Sequence, residues 1–342
     1  MAGSAMSVPR PEASSIPDAP GAYLFRDSDG RVLYVGKATN LRARVRSYFS
    51  TEQRRKVTQL LREMESVDDI VCAGPLEASV LEVRLIHQHM PPFNRRSKTW
   101  RRYAYLKLTL DERFPRLSVV RKVRDGDGAL YLGPLPSSGA ARLLAEAIET
   151  AVPIRRCTAK PPRQPRPAPC APAQLGVSLC PCSGQVSDIE YGNVVQRLVR
   201  GLTTEPALLL DPLADRMNAL ASAERFEEAA DTRDRAAALA RALIRQRRLE
   251  SLRRSGRLEV EDVDGRRVVL AAGRLLNGPL FASAADDGAP GHGPLPRELA
   301  DEVSCVAAWL DAEAARLRLV ACEGELASPL PRLPTYEPRT RR

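Results

Sequence analysis

The segment from Pro20 to Phe49, PGAYLFRDSDGRVLYVGKATNLRARVRSYF, constrains the fold more than any other part of the chain. Ala22 to Phe25 and Val32 to Val35 are short aromatic and β-branched runs, and Asp27-Ser28-Asp29-Gly30 between them is turn chemistry, so the two runs predict a hairpin. Tyr23 and Tyr34 are expected to face each other across it. After Gly36-Lys37, Thr39 or Asn40 can cap a helix whose apolar stripe is Leu41, Val45, Tyr48 and Phe49. Arg44 and Tyr48 then stand one turn apart on a shared face, with Arg42 and Arg46 on the same helix. No acidic side chain occurs between Asp29 and Glu52. Two tyrosines in so positive a field suit chemistry on a phosphodiester.

The charge of the whole chain points the same way. Its 342 residues leave room for two or three domains, and a net charge of +10 favours a polyanionic partner. Placement matters more than the total. Between Val83 and Leu110 there is no acid, while Arg84, Arg95, Arg96, Lys98, Arg101, Arg102 and Lys107 are interleaved with Phe93, Trp100, Tyr103 and Tyr105. Cations beside aromatic platforms compose a DNA-contacting surface, a solvated loop being the plainer alternative. No apolar run approaches the ~20 residues of a membrane span, and the start MAGSAMSVPRPEASS reads as a disordered leader without a signal-peptide core. Seven cysteines without that signal predict a reducing, cytoplasmic setting.

Leu76 to Met90 has helical periodicity, with Ala78, Leu81, Leu85 and Ile86 on one face and Glu82 inside that stripe. A charge there needs a partner. Position alone suits a salt bridge to an arginine and a divalent metal equally. Pro91-Pro92 ends the helix and is expected to aim Asn94 back at the site.

These residues together resemble the GIY-YIG nuclease domain of the UvrC type, from the incision subunit of bacterial nucleotide excision repair. The first signature is Gly21-Ala22-Tyr23, with alanine in the middle position, and the second is Tyr34-Val35-Gly36. The similarity runs on through Lys37, Arg44, Tyr48, Glu82 and Asn94 to DGALYLGPLPSSGAAR at Asp127 to Arg142, covering about residues 16 to 247. It implies that Glu82 holds Mg2+ or Mn2+, that Tyr23, Tyr34, Lys37, Arg44, Tyr48 and Asn94 form the catalytic set, and that the partner is DNA. Arg42, Arg46, Arg95, Arg96, Lys98, Arg101 and Arg102 are the expected DNA contacts. Hydrolysis needs an activated water, neutralised equatorial oxygens and a stabilised leaving 3′ oxygen. Arg44 suits the second task with its planar fork, and a metal on Glu82 the third. A tyrosine with pKa near ~10 is a poor base unless a cation such as Lys37 lowers it, and the choice between Tyr23 and Tyr34 stays open.

Beyond the nuclease, Tyr103 to Val123 and Leu130 to Pro134 read as sheet, and Gly139 to Val152 as a helix. Cys157, Cys170, Cys180 and Cys182 fall in a Pro- and Arg-rich stretch that suits an iron-sulfur cluster, a zinc site or free thiols in a loop. The single residue between Cys180 and Cys182 departs from the family's spacing of three. A short helix is expected from Asp211 or Pro212 and a longer one over Arg225 to Arg247, whose FEEAADTRD at Phe226 to Asp234 resembles the UVR motif. That resemblance implies docking of the UvrB helicase through Phe226, Ala230 and Arg233.

The fold expected is α+β: a small mixed GIY-YIG sheet flanked by helices, then a UVR helical hairpin and a small α+β C-terminal region. The parts are a leader over 1–15, a nuclease over 16–98, an α/β extension over 99–156, a cysteine region over 157–186, the hairpin over 203–248 and a region of unknown role over 250–342. In the last, Leu258 to Leu270 reads as a hairpin around Asp264-Gly265, Phe281 to Pro296 as a flexible loop, Glu298 to Arg316 as a helix and Leu317 to Cys322 as a strand. An RNase H-like second nuclease has no room, so the chain resembles half of UvrC, as in Cho-like proteins or the UvrC-like half of exonuclease fusions. The function expected is a single 3′-side incision near damage, a non-cleaving DNA- and UvrB-binding adapter being the alternative.

Overall fold

The computed structural model describes residues 15–49, 55–94, 99–162, 164–276 and 291–325. The chain divides into two compact units, one of Met1–Arg101, Leu252–Gly291 and Glu298–Leu326, the other of Arg102–Ser251, His292–Arg297 and Ala327–Arg342. No helix among the described residues is long and apolar enough to cross a membrane.

The first unit begins with β1 (Gly21–Arg26), β2 (Val32–Ala38), α1 (Leu41–Ser47), α2 (Arg55–Glu63), β3 (Ser66–Val71) and α3 (Pro75–His89). The sheet order is β2-β1-β3, and both ladders are antiparallel where a mixed sheet was expected. The cause is connectivity: a tight turn joins β1 to β2, and α1 and α2 return the chain to the far edge of β1. Asn40 caps α1 by accepting a hydrogen bond from Ala43 N at 2.8 Å.

Register corrects one expectation about the hairpin. Tyr23 pairs with Gly36, and Phe25 pairs with Tyr34, with a register shift next to them that places Val32 opposite Arg26. Tyr23 and Tyr34 are therefore diagonal neighbours on one face, with ring centroids 6.1 Å apart. That face packs on Leu41, Val45 and Tyr48, on Leu60 and Leu61 of α2, and on Met64 just beyond it. The other face puts Leu24 and Val35 on Ile86 of α3.

The second unit contains β4 (Ala104–Leu108), β5 (Leu117–Val120) and β6 (Leu130–Leu135) in the order β5-β4-β6. They are followed by α4 (Ser138–Ala151), the short α5 (Ala171–Gln174), α6 (Asp188–Thr203), α7 (Ala207–Ser222) and α8 (Phe226–Arg254). One core joins Leu106, Leu132, Ile148, Leu198, Leu209 and Leu239. Two helix expectations shift. The first of the pair begins at Ala207 and carries Pro212 inside it, four residues before the predicted start. α6 was not anticipated, although Ser187 caps it and Asp188 and Glu190 occupy its first turn.

The remainder of the first unit is β7 (Arg257–Glu261), β8 (Arg267–Ala271), β9 (Arg274–Leu275), α9 (Ala300–Glu313) and β10 (Arg318–Cys322), with the sheet ordered β10-β7-β8-β9. Helix α9 packs against α3 of the same unit. Most of the expected loop at 281–296, and the leader up to residue 14, lie outside the described residues.

Candidate active site

Three hydroxyls and one guanidinium meet on the α1 face of the sheet. Tyr23 and Tyr48 hydroxyls are 2.8 Å apart, and Tyr48 is also hydrogen-bonded to Tyr34. Arg44 donates from Nε to the Tyr23 hydroxyl at 3.3 Å and from Nη2 to that of Tyr48 at 3.4 Å, with its guanidinium 5.1 Å from the centre of the Tyr48 ring. Tyr34, Arg44 and Tyr48 open onto a cleft of about 560 Å³, also lined by Gln59, Glu63 and Phe93.

The two signature glycines are explained by close approach. A Cβ on Gly36 would stand 2.3 Å from the Tyr23 hydroxyl, and one on Gly21 would stand 2.2 Å from the Ile70 carbonyl oxygen. Gly36 thus lets the Tyr23 ring cross over β2 to reach Arg44 and Tyr48. Gly21 lets β1 and β3 pair.

Lys37 and Glu82 belong to the opposite face of β2. Lys37 donates to Ser79 Oγ at 2.7 Å and stands 3.9 Å from Glu82 Oε2. Ser79, one turn before Glu82 on α3, was missed by sequence reasoning, although the spacing of three between them is visible there. The two groups of residues meet around the edge strand β2, close enough that the Glu82 charge contributes to raising the Tyr34 pKa.

Asn94 secures that edge. Val35 N donates to Asn94 Oδ1 at 2.9 Å and Asn94 Nδ2 donates to the Val35 carbonyl at 2.8 Å, so the carboxamide occupies the place of a neighbouring strand residue. Phe93 N adds a bond to the Leu33 carbonyl at 3.1 Å. Asn94 is buried on the backbone beside Tyr34, which makes its contact with the site indirect.

The electrostatics differ from the expectation that Lys37 lowers a tyrosine. Burial, with Tyr34 next, pushes Tyr23 up to about 12. Burial likewise holds Tyr34 and Tyr48 well above the usual tyrosine value. All three hydroxyls are therefore neutral at physiological pH, and the Lys37 ammonium is engaged with Ser79 and Glu82 instead. Hydrogen bonding to Tyr23 raises the pKa of Arg44, which stays charged.

The basic residues are less uniform than their sequence run suggests. Arg84 and Lys107 are engaged internally, Arg84 with Glu302 at 2.5 Å and Lys107 with Asp127 at 2.8 Å. Tyr105 is buried, with its hydroxyl donating to the Leu295 carbonyl. Arg46 is exposed, Arg42 donates to the Ile16 carbonyl, and Arg101 stacks over Trp100 at 5.4 Å. Arg102 ends the short 3-10 turn Thr99–Arg102 and is exposed. Arg95, Arg96 and Lys98 lie outside the described residues.

For a divalent cation, Glu82 offers a partly accessible hard oxygen donor beside Tyr34, which fits a magnesium shell completed by water and phosphate. Among the described residues no group of three or more His, Cys, Asp or Glu side chains is arranged to hold a metal. The cysteines gather in pairs: Cys170 with Cys180 and Cys157 with Cys182 are hydrogen-bonded through their thiols, and Cys180 and Cys182 are buried. Arg155 anchors the start of this segment, buried and donating to the carbonyls of Phe114, Cys157 and Ala159 and to the Glu112 carboxylate. At the start of α8, Phe226 is 58% exposed, Ala230 is half-buried and Arg233 pairs with Asp234 at 2.7 Å.

The UvrC-like GIY-YIG domain matches residues 19–95, and the UvrC/Cho excinuclease middle domain matches residues 103–201. UvrABC system protein C of Desulforudis audaxviator is 39% identical over 238 residues, 70% of this chain and 38% of that protein. A putative bifunctional exonuclease/endonuclease protein of Mycobacterium tuberculosis is 36% identical over 342 residues, 93% of this chain and 52% of that protein. The chain thus spans about half or less of the length of these two relatives. The magnesium-bound GIY-YIG N-terminal endonuclease domain of UvrC from Thermotoga maritima is 35% identical, with 24% of this chain and 91% of that one covered and a TM-score of 0.23. With both UvrC-type domains matched in consecutive order, the chain belongs to the UvrC-type GIY-YIG endonuclease family.

Proposed function

We propose that this chain is a metal-dependent DNA endonuclease that makes one incision, on the 3′ side of damage, in bacterial nucleotide excision repair. The observation that carries the reading is the Arg44 fork held against the Tyr23 and Tyr48 hydroxyls at the wall of an open cleft, across the edge of β2 from Glu82. Bonds to two neutral hydroxyls leave the guanidinium charge uncancelled, so Arg44 can receive the equatorial oxygens of a scissile phosphate. Tyr34 lines the cleft and Tyr23 is buried, which favours Tyr34 as the residue that takes the proton from water, a task it can perform only as the tyrosinate, after its own hydroxyl proton has passed to solvent. A divalent cation on Glu82 would supply charge to stabilise the leaving 3′ oxygen and would offset the Glu82 charge, which adds to burial and Tyr48 in raising Tyr34. Lys37 orients Glu82 together with Ser79, and Asn94 holds the strand that carries Tyr34.

The test is incision of duplex DNA carrying one lesion, labelled at each end in turn, with and without magnesium and a UvrB-type helicase. The expected product is a single nick 3′ of the lesion. Binding without any nick would favour the adapter, and paired nicks would require a second catalytic centre.

Docking on a UvrB-like helicase is assigned to the start of α8, where Phe226 offers an exposed aromatic anchor. Phe226→Ala should weaken that complex by ~1 to 3 kcal/mol in calorimetry while α8 keeps its helicity. Unchanged affinity would assign the hairpin another role. An iron-sulfur cluster or zinc on Cys157, Cys170, Cys180 and Cys182, separate from the hydrolytic chemistry, would require the two thiol pairs to close on one centre, which they do not do as they stand. Elemental analysis of protein purified without oxygen distinguishes the two from free thiols.

A further inference from the structure

The C-terminal part of the first unit is fastened to the back of the helix that carries Glu82. Helix α9 presents Asp301, Glu302 and Cys305 on one face, one turn apart or less. Asp301 Oδ2 is 3.2 Å from His87 Nε2, Glu302 receives Arg84, and Cys305 reaches Ser79 close to Lys37 and Glu82. Partners run backwards along α3 as they run forwards along α9, so the two helices are antiparallel.

Glu302 is the centre of this contact. It is buried, and its carboxylate accepts from Arg84 Nε at 2.9 Å, Arg84 Nη2 at 2.5 Å and Leu275 N at 3.3 Å, with Arg274 Nε at 3.8 Å. Arg84 Nη2 also donates to the Leu275 carbonyl at 3.0 Å. A buried carboxylate without donors is costly, and a planar guanidinium fork satisfies it in one orientation only. The fork therefore fixes both the rotation and the axial position of α3 at Arg84. Glu82 is two residues away and points about 160° round the helix, so whatever sets Arg84 sets the aim of Glu82.

We propose that Glu302 is a positioning residue for the hydrolytic site: through Arg84 it holds α3 in the register at which Glu82 faces the edge of β2 beside Lys37 and Tyr34. This rests on the reading of Glu82 as the metal carboxylate. The C-terminal segment is thereby a working part of the nuclease rather than an appendage.

Manganese binding to the full-length chain, read from the loss of the free-ion signal in electron paramagnetic resonance, tests it without relying on turnover. Glu302→Gln keeps the shape and an acceptor but weakens the fork. A second variant, Arg84→Met with Glu302→Leu, fills the same volume without charge, so that folding is preserved while the register lock is lost. Both should bind Mn2+ about 10-fold more weakly than the parent, with duplex DNA affinity and circular dichroism unchanged. Glu82→Gln should lose the site altogether. Parent-like Mn2+ affinity in both folded variants, with binding lost in Glu82→Gln, would overturn the positioning role alone. Retained binding in Glu82→Gln would overturn the metal assignment and the inference with it.

Discussion

Glu82→Gln is expected to reduce incision by about three orders of magnitude or more while leaving DNA affinity within about two- to three-fold of the parent. The substitution keeps the volume of the side chain and a hydrogen-bond acceptor near Lys37, so α3 has no reason to move. What it removes is the charge that a hard cation requires, and no group of three metal-ligating side chains among the described residues stands in for it. Affinity survives because it is set by phosphate contacts to arginines, which the change does not touch. The two readings separate in a single-turnover incision assay run beside a filter-binding titration. Near-parental incision would show that Glu82 is only the counter-ion of Lys37.

Gly36→Ala should cost activity out of proportion to stability. The added methyl would lie 2.3 Å from the Tyr23 hydroxyl and 2.4 Å from the ring carbon that bears it, in a site where Tyr23 is only 1% exposed. The obstacle is the end of a side chain, so the ring tilts and the strands stay paired, at a cost of ~1 to 3 kcal/mol typical of overpacking. That tilt removes the Tyr23 hydroxyl from both Tyr48 and Arg44. Arg44 then loses the partner that sets its fork, and incision should fall by about 100-fold. Gly21→Ala is the control, because its methyl would meet the Ile70 carbonyl of β3 at 2.2 Å and force the backbone apart. Thermal melting should rank Gly21→Ala as the less stable of the two, and incision per folded molecule should rank Gly36→Ala as the more impaired. The reverse order in both would mean that the Tyr23 hydroxyl does not set Arg44.

Local chemistry was readable wherever residues close in sequence decide the outcome. Turn residues at Asp27 to Gly30, the Asn40 cap and the periodicity of Leu76 to Met90 each specify an element through near neighbours, and β1, β2, α1 and α3 appear where those signals lie. The same holds for the hairpin of β7 and β8 and for α9. Helix α6 falls between the expected cysteine region and the expected hairpin, and its local signal is the Ser187 cap with Asp188 and Glu190 in the first turn. Proline favours the first turn of a helix, but α7 begins at Ala207, five residues before Pro212, and carries that proline within it.

What the sequence alone determined is the list of chemical groups: tyrosines at 23, 34 and 48, cations at 37 and 44, a carboxylate at 82 and glycines at 21 and 36. Their assembly depended on tertiary structure, since register and packing join residues tens to hundreds of positions apart, whose pairing no local propensity encodes. A diagonal rather than direct pairing of Tyr23 with Tyr34, the docking of Asn94 on the Val35 backbone and the burial that raises Tyr23, Tyr34 and Tyr48 are consequences of that packing. So is the fate of the basic run. Arg84 and Lys107 look alike in sequence to the arginines around them, but Glu302, 218 residues away from Arg84, and Asp127, 20 away from Lys107, claim them in the fold. A carboxylate that reaches an arginine makes it an internal brace, and only the folded chain brings that carboxylate within reach.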